Sequence, residues 1–322
     1  MIRFISRRLA QTVLLLFGIS VVLFLLAEAV PGDYFSEAQL NPNISADTLQ
    51  ALRSHYGLDR PLVVRYGYWL ASVARGDMGY SLAYNQPVSQ LLFPRLGNTL
   101  LLAVPALLTC WVLALVLGVL LAGYGGKWSE RVFSLGSSAL LATPDVLLAL
   151  LALLIAARTR LFPAGGMHSL ATADSGRLSS ARDLAWHLFL PGCVFILSSL
   201  APIVRHVHAE MKEVLQTPHV RAAEGHGISR LRVLFRYALP AAANPLVSLF
   251  GVSVGLMFSV VLVVEIVLGW PGLGPMLLEA ILARDMFVTI GGVLLSALML
   301  VLGNVVTDFL LYAIDPRIRV QP

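Results

Sequence analysis

Charged side chains are scarce in this sequence. Asp, Glu, Lys and Arg make up 13% of its 322 residues, about half the share of an average soluble domain. Cysteine is nearly absent. Cys110 and Cys193 both lie inside apolar runs, at no disulfide or zinc-ligand spacing, and read as small buried hydrophobes. No phosphate-binding loop is present. Gly125-Gly126-Lys127-Trp128 has a Gly-Lys pair, but Trp128 stands where a Ser or Thr would hold magnesium, and the upstream glycine spacing fails. There is no nucleophile elbow, no His-Glu-x-x-His zinc motif and no solenoid repeat. His206 and His208 are two residues apart, so they do not share a helix face and do not form a metal site. These absences argue against a soluble enzyme, a disulfide-framed secreted domain and a chain that hydrolyses ATP by itself. The net charge of +5 is no case for nucleic acid, because membrane proteins concentrate basic residues in cytoplasmic loops.

Apolar residues, by contrast, make up 57% of the chain, with a mean hydropathy of +0.80. About 20 apolar residues cross a bilayer. Six runs qualify: Leu9–Ala29, Thr99–Gly123, Val132–Ala157, Leu184–Val204, Ala241–Leu268 and Val288–Ile314. The fold class is therefore an all-α integral membrane protein with six transmembrane helices. The fourth run is the weakest, being interrupted by Pro191 and Pro202. The first run has a basic start and the small-x-small tripeptide Ala27-Glu28-Ala29, as a signal peptide would. Its apolar core is longer than a usual signal core, which favours a retained span.

Lys and Arg set the orientation. With the N-terminus inside, the inner pieces carry Arg3, Arg7, Arg8, Lys127, Arg131, Arg205, Lys212, Arg221, Arg230, Arg232, Arg236, Arg317 and Arg319. The short outer loops carry Arg158, Arg160, Arg177, Arg182 and Arg284. Both termini are thus expected in the cytoplasm. The chain divides into an N-terminal transmembrane helix (1–30), an extracytoplasmic loop region (31–97) and a five-helix core (98–322).

The outer region 31–97 has a helix expected over Ser45–His55 and an aromatic stretch with Arg65, Tyr66 and Trp69. Two readings stand side by side: a cap lying on the membrane, with Tyr and Trp as interfacial anchors, or a docking surface for a soluble partner. Among residues inside the spans, Glu265, Asp308 and Asp145 draw attention, because buried ionisable groups in membranes are costly and often functional. Each is a candidate for the pathway or for structural hydrogen bonding, with Asp145 following Pro144 at a proline-broken helix. Gly251 and Gly255 form a small-x-x-x-small pair that permits close helix approach, within the chain or between subunits.

The most informative stretch is Thr217–Pro240, basic and set between two apolar runs. Thr217 is placed to cap a helix starting at Pro218, Gly225 and Gly227 to end it, Ser229 to cap a second helix, and Pro240 to stop that one. Two short helices with a sharp bend are too short to be stable alone, so they lie against something.

Arg221-Ala222-Ala223, three residues, Gly227, nine residues, then Tyr237-x-Leu239-Pro240 resembles the signature loop of importer-type ABC permeases, Glu-Ala-Ala, three residues, Gly, nine residues, Ile-x-Leu-Pro. Arg221 and Tyr237 depart from it. Arg at the first position is usual in the branch importing dipeptides, oligopeptides and nickel. Further resemblance to that branch's B-type subunit comes from Pro31-Gly32-Asp33, Gly57 to Leu62, Gly76-Asp77-x-Gly79-x-Ser81, Trp270 to Gly274, Arg284-Asp285 and Asp315 to Arg319. It spans the whole chain in order.

The resemblance implies a type I ABC importer-like permease fold and a coupling helix near 217–232. Arg221, Ala222, Ala223, Glu224, Gly227, Leu239 and Pro240 would then couple to ATPase subunits, and Arg65, Tyr66, Trp69, Asp77 and Ser81 would lie in a loop that receives a substrate-binding protein. The implied partners are a homologous second permease, two ATP-binding subunits holding ATP and Mg, the binding protein and the lipid bilayer. No cofactor is expected in this chain. Short peptides are the expected cargo. Nickel or another small solute remains an alternative, as does, from another class, a proton-coupled secondary transporter.

Overall fold

In the computed structural model of the chain, residues 2–29, 46–55, 59–169 and 176–314 are described. The motifs Pro31-Gly32-Asp33 and Asp315–Arg319 lie outside them. Among the described residues thirteen α-helices follow in order: α1 Ile2–Ala29, α2 Ala46–His55, α3 Leu62–Val73, α4 Val88–Tyr124, α5 Lys127–Ala142, α6 Asp145–Thr159, α7 Arg177–Leu215, α8 Pro218–Gly225, α9 Arg230–Arg232, α10 Leu239–Ala241, α11 Ala243–Val267, α12 Leu273–Leu282 and α13 Met286–Ile314. A π-helical turn, Val233–Ala238, separates α9 from α10. A small antiparallel hairpin, β1 Tyr80–Ser81 and β2 Gln86–Pro87, pairs Tyr80 with Pro87 and Ser81 with Gln86.

Five helices among the described residues are long and apolar enough to cross a membrane: α1 from Arg8, α4, α7, α11 and α13. The α5–α6 pair makes a sixth if it counts as one span. At 1.5 Å per residue, α4 (37 residues) and α7 (39 residues) reach about 55 Å and 58 Å, well beyond a hydrocarbon core of about 30 Å. Exposed side chains such as Leu9 and Leu14, 64% and 71% accessible, suit a lipid surface and would be a liability in water.

One expectation about the spans needs correction. The third run is not a single helix, because α5 and α6 meet at 94°. Thr143 is extended (φ −92°, ψ 118°) ahead of Pro144, the N-cap residue of α6. Proline disfavours helical backbone in the residue before it and donates no N–H, so the break falls there. The fourth run, the weakest in sequence, holds as a span within the longest described helix, and α7 continues through Pro191 and Pro202. Membrane helices tolerate this where neighbours cover the freed carbonyls.

The chain clusters into two compact units, residues 1–98 with 272–299 and residues 99–271 with 300–322. In the first, α3 packs on α1 through Phe24, Trp69 and Ile290, all buried, with Tyr66 and Leu70 beside them. The described part of the region expected as an outer loop is therefore largely helix and hairpin, and α4 begins at Val88 rather than Thr99. In the second unit, α11 packs on α6 and α7. Glycine permits a close approach of α13. A Cβ on Gly251 would lie 2.8 Å from Thr307 Cγ2, and one on Gly303 2.1 Å from Val254 Cγ1. Gly251 of the small-residue pair is thus used for packing within the chain.

Candidate functional site

The bend between α7 and α11 is built from local signals. Thr217 takes the extended N-cap conformation (φ −69°, ψ 145°) and Pro218 the first helical turn, where its missing N–H costs nothing. The Thr217 hydroxyl does not cap α8. It donates back to Val214 O at 2.5 Å. After α8 the chain turns at Gly227, φ +76°. Gly227 N–H donates to Glu224 O (3.0 Å) and Ile228 N–H to Ala223 O (3.4 Å). That pairing is a Schellman motif, which needs a left-handed residue at its corner and favours glycine there.

Beyond the corner the expectation that Pro240 stops the second helix fails. The chain winds from α9 through the π turn and α10, and α11 starts at Ala243. In an α-helical register the Pro240 ring would press on the carbonyl four residues back. The wider turn, in which Leu239 N–H donates to Leu234 O five residues back, accommodates it.

Packing sorts the predicted coupling residues into two faces. Ala223 and Val220 are buried, against the π turn and α7 on which α8 lies. Arg221, Ala222, Glu224 and Gly227 are exposed, Leu239 is half-buried and Pro240 exposed. Of the two alanines, only Ala222 sits on an open face.

Arg230, which the sequence did not single out for this role, fixes the corner. Its Nε and Nη2 donate to Gly123 O at the end of α4, 3.2 and 3.1 Å away, and its Nη1 pairs with Glu224. Nearby, Leu234 is fully buried beside Gly123, where a Cβ would clash with it at 2.3 Å. Between α5 and α7, Lys212 Nζ pairs with Glu130 (2.8 Å), and Arg205 donates to Ser137 Oγ (2.9 Å) and Ser138 Oγ (2.7 Å). The bend thus stands on a clamped base.

In the first unit the predicted docking residues are mostly committed to internal contacts. Tyr66 Oη hydrogen-bonds Ser20 Oγ at 2.9 Å and its ring meets Phe24 edge-on, 5.0 Å between centroids. Trp69 is buried, 5.0 Å from Phe24, and its Nε1 donates to Met78 O at 3.4 Å. Arg65 pairs with Glu28 at 3.0 Å. Ser81 is fully buried and donates to Asp285 Oδ2 at 2.6 Å. Trp69 and Ser81 therefore offer no surface to a partner, contrary to the expectation from sequence. Asp77 is exposed, its Oδ1 accepting from Gly79 N–H at 2.9 Å.

Asp285 is the hub that sequence reasoning left as an isolated motif. It also accepts from Ala83 N–H (3.1 Å) and Val288 N–H (3.3 Å). One buried carboxylate thereby caps α13 and holds the hairpin. The hairpin turn is held a second time by Tyr84, whose hydroxyl donates to Glu279 of α12. Burial, then that hydrogen bond and the carboxylate's charge, push the Tyr84 phenol up to about 12.

The acids inside the spans are dispersed along the chain. Asp145 is the first residue of α6, at the broken span, where a carboxylate suits the helix dipole. Glu265, in α11, is fully buried. Asp308 lies half-buried in α13.

Fold and bend together define a class, a polytopic helical membrane protein that holds a rigid polar corner between two of its spans. The profile of the family described as binding-protein-dependent transport system inner membrane component matches residues 114–320, and the profile for that family's N-terminal part matches residues 1–103. Full-length relatives agree. The oligopeptide transport system permease protein of Bacillus subtilis is 31% identical over 99% of this chain and all of its own length. The dipeptide transport system permease protein of Escherichia coli K12 is 31% identical over 99% of both chains. The di/tripeptide transport system permease protein of Pseudomonas aeruginosa is 32% identical over the whole of both. The chain belongs to the binding-protein-dependent transport system inner membrane components, as a transmembrane permease subunit of the type I ABC importer fold.

Proposed function

We propose that this permease forms half of a translocation pathway for short peptides and draws its energy from ATP-binding subunits seated on the Pro218–Ser229 corner. The observation that carries the reading is the Schellman corner at Gly227. It presents Arg221 and Ala222 on an exposed face of α8 while Arg230, Glu224 and the buried Val220 and Ala223 make the base rigid. A rigid corner transmits a push, whereas a floppy loop absorbs it. The cargo class is supported by the full-length relatives, whose names specify oligopeptides, dipeptides and di/tripeptides.

In this reading both termini and the corner are cytoplasmic, in line with the arginine and lysine distribution. ATP and Mg sit in the partner subunits. Their closure on ATP draws the two coupling corners together and switches access from one side of the membrane to the other, because ATP binds the two states with different affinity. A homologous permease supplies the other half of the pathway, and a substrate-binding protein delivers cargo on the outer side.

Ala222→Glu tests the coupling arm, since it places a charge on the exposed face without entering this chain's core. The variant is expected to stay in the membrane, to lose its ATP-binding subunits on purification and to lose uptake. Undiminished co-purification and uptake would refute the coupling role. Uptake of a labelled tripeptide against labelled nickel by the reconstituted transporter separates the two cargo classes.

A further inference from the structure

The connection between α6 and α7 carries four arginines that lie outside the coupling corner. Arg158 and Arg160 close α6, Arg177 and Arg182 open α7, and all four are exposed. Asp183 is the acid among the described residues from 158 to 190. It is turned inward, accepting from Ser169 N–H (2.8 Å) and Ser169 Oγ (2.7 Å), with His168 and His187 each 3.5 Å away.

Beside these cations stands a stack of three aromatic rings. The Phe162 ring is 5.1 Å from Trp186 and 5.4 Å from Phe189, at interplanar angles of 27° and 9°. Trp186 and Phe189 are nonetheless 48% and 49% exposed. Leu178, Arg182, Trp186 and Phe189 follow each other at helical spacing, so they form one stripe on α7. Leu197, also exposed, continues the stripe into the apolar length of that helix. At 1.5 Å per residue, Arg182 stands about 6 Å along the axis from Trp186. Along the helix axis the two positions are thus offset by about the distance between a headgroup phosphate and the top of an acyl chain.

We propose that this end of α6 and α7 binds anionic phospholipid. Arg160 and Arg182 take the phosphate, and the Phe162–Trp186–Phe189 stack takes the boundary between headgroup and acyl chain. Guanidinium forks match phosphate oxygens in pairs, and aromatic rings settle at that depth. A water-soluble protein partner fits less well, because the stripe resumes at Leu197 on the face of a membrane-spanning helix. In the orientation of the proposed function these arginines lie in the outer leaflet, where short loops carry few cations, so a lipid counter-charge accounts for an excess that the bias disfavours. The inference itself requires only that the chain spans a membrane.

The test uses the full chain in phosphatidylcholine vesicles containing the same mole fraction of either brominated phosphatidylcholine or brominated phosphatidylglycerol. The emission of Trp186 is taken as the difference between the native chain and Trp186→Phe. Brominated phosphatidylglycerol is expected to quench it more strongly, with the preference falling at high salt. Each arginine near the surface accounts for about five-fold local enrichment. Arg160→Gln with Arg182→Gln removes the preference, while the two lysine replacements retain most of it. Unchanged quenching of the other four tryptophans verifies that the variants are folded. Equal quenching by the two lipids would overturn the proposal, leaving only an apolar annulus. Absence of quenching by either would also overturn it, showing the ring covered by protein. Neither result touches the co-purification test of the coupling corner.

Discussion

Replacing Gly227 by alanine isolates the conformational element on which the coupling reading depends. Gly227 sits at φ +76°, and a Cβ built on it meets nothing within 4 Å. No steric contact is added, so the cost lies in the backbone alone. A left-handed conformation costs an L-residue roughly 1–2 kcal/mol, which lowers the population of the bent corner about 5- to 30-fold against its alternatives. Gly225, inside α8 and equally free of neighbours, is the control. Alanine there should be neutral or stabilising by up to about 1 kcal/mol. Asparagine at 227 should fall between, because it tolerates the left-handed region. The direct readout is hydrogen exchange at the Ile228 amide, which donates across the corner to Ala223 O. Exchange should rise about 5- to 30-fold in Gly227→Ala and not at all in Gly225→Ala, with uptake by the reconstituted transporter falling in the first alone. Identical exchange and uptake in the two variants would refute the argument that glycine's backbone freedom holds the corner.

Three further outcomes follow from the packing. Asp285→Asn replaces the carboxylate that accepts from Ser81, Ala83 and Val288. It should cost about 1–3 kcal/mol, read as a lower unfolding midpoint and faster proteolysis at the Tyr80–Pro87 hairpin. An unchanged midpoint would contradict the hub role. Gly303→Ala places a methyl 2.1 Å from Val254 Cγ1 and should destabilise by roughly 1–3 kcal/mol. Val254→Ala in the same chain should restore most of it, and purely additive losses would disprove direct contact. Tyr84, held neutral by burial and Glu279, should ionise near 12 rather than 10. Its folded value is the raised one, so the stability it contributes is complete below pH 10 and declines as pH climbs through 12. The difference in tyrosinate absorbance between the native chain and Tyr84→Phe measures this, and ionisation at the ordinary pH would refute it.

Much of the architecture is legible in the amino-acid order because its causes are local. Apolar runs located five long helices, and Thr217-Pro218 and Gly227 marked the start and the corner of the bent segment. The loop spacing from Arg221 to Pro240 indicated the family. Pro144 carried the signal for a break, but not its 94° angle, which is set by the helices that α5 and α6 pack on. Pro240 misled, because a proline's local effect is to stop a helix, while in the folded chain a π turn makes room for it.

Composition, spans and punctuation were determined by the sequence itself, since backbone sterics and the transfer of apolar groups act residue by residue. Only the tertiary structure decided which side chains remain available. Ser81 meets Asp285 across 204 residues and Arg230 meets Gly123 across 107. Trp69 turns from a surface anchor into core, and Ala223 turns inward while Ala222 stays open. Such pairings depend on where the whole chain places distant helices, and no local pattern encodes that.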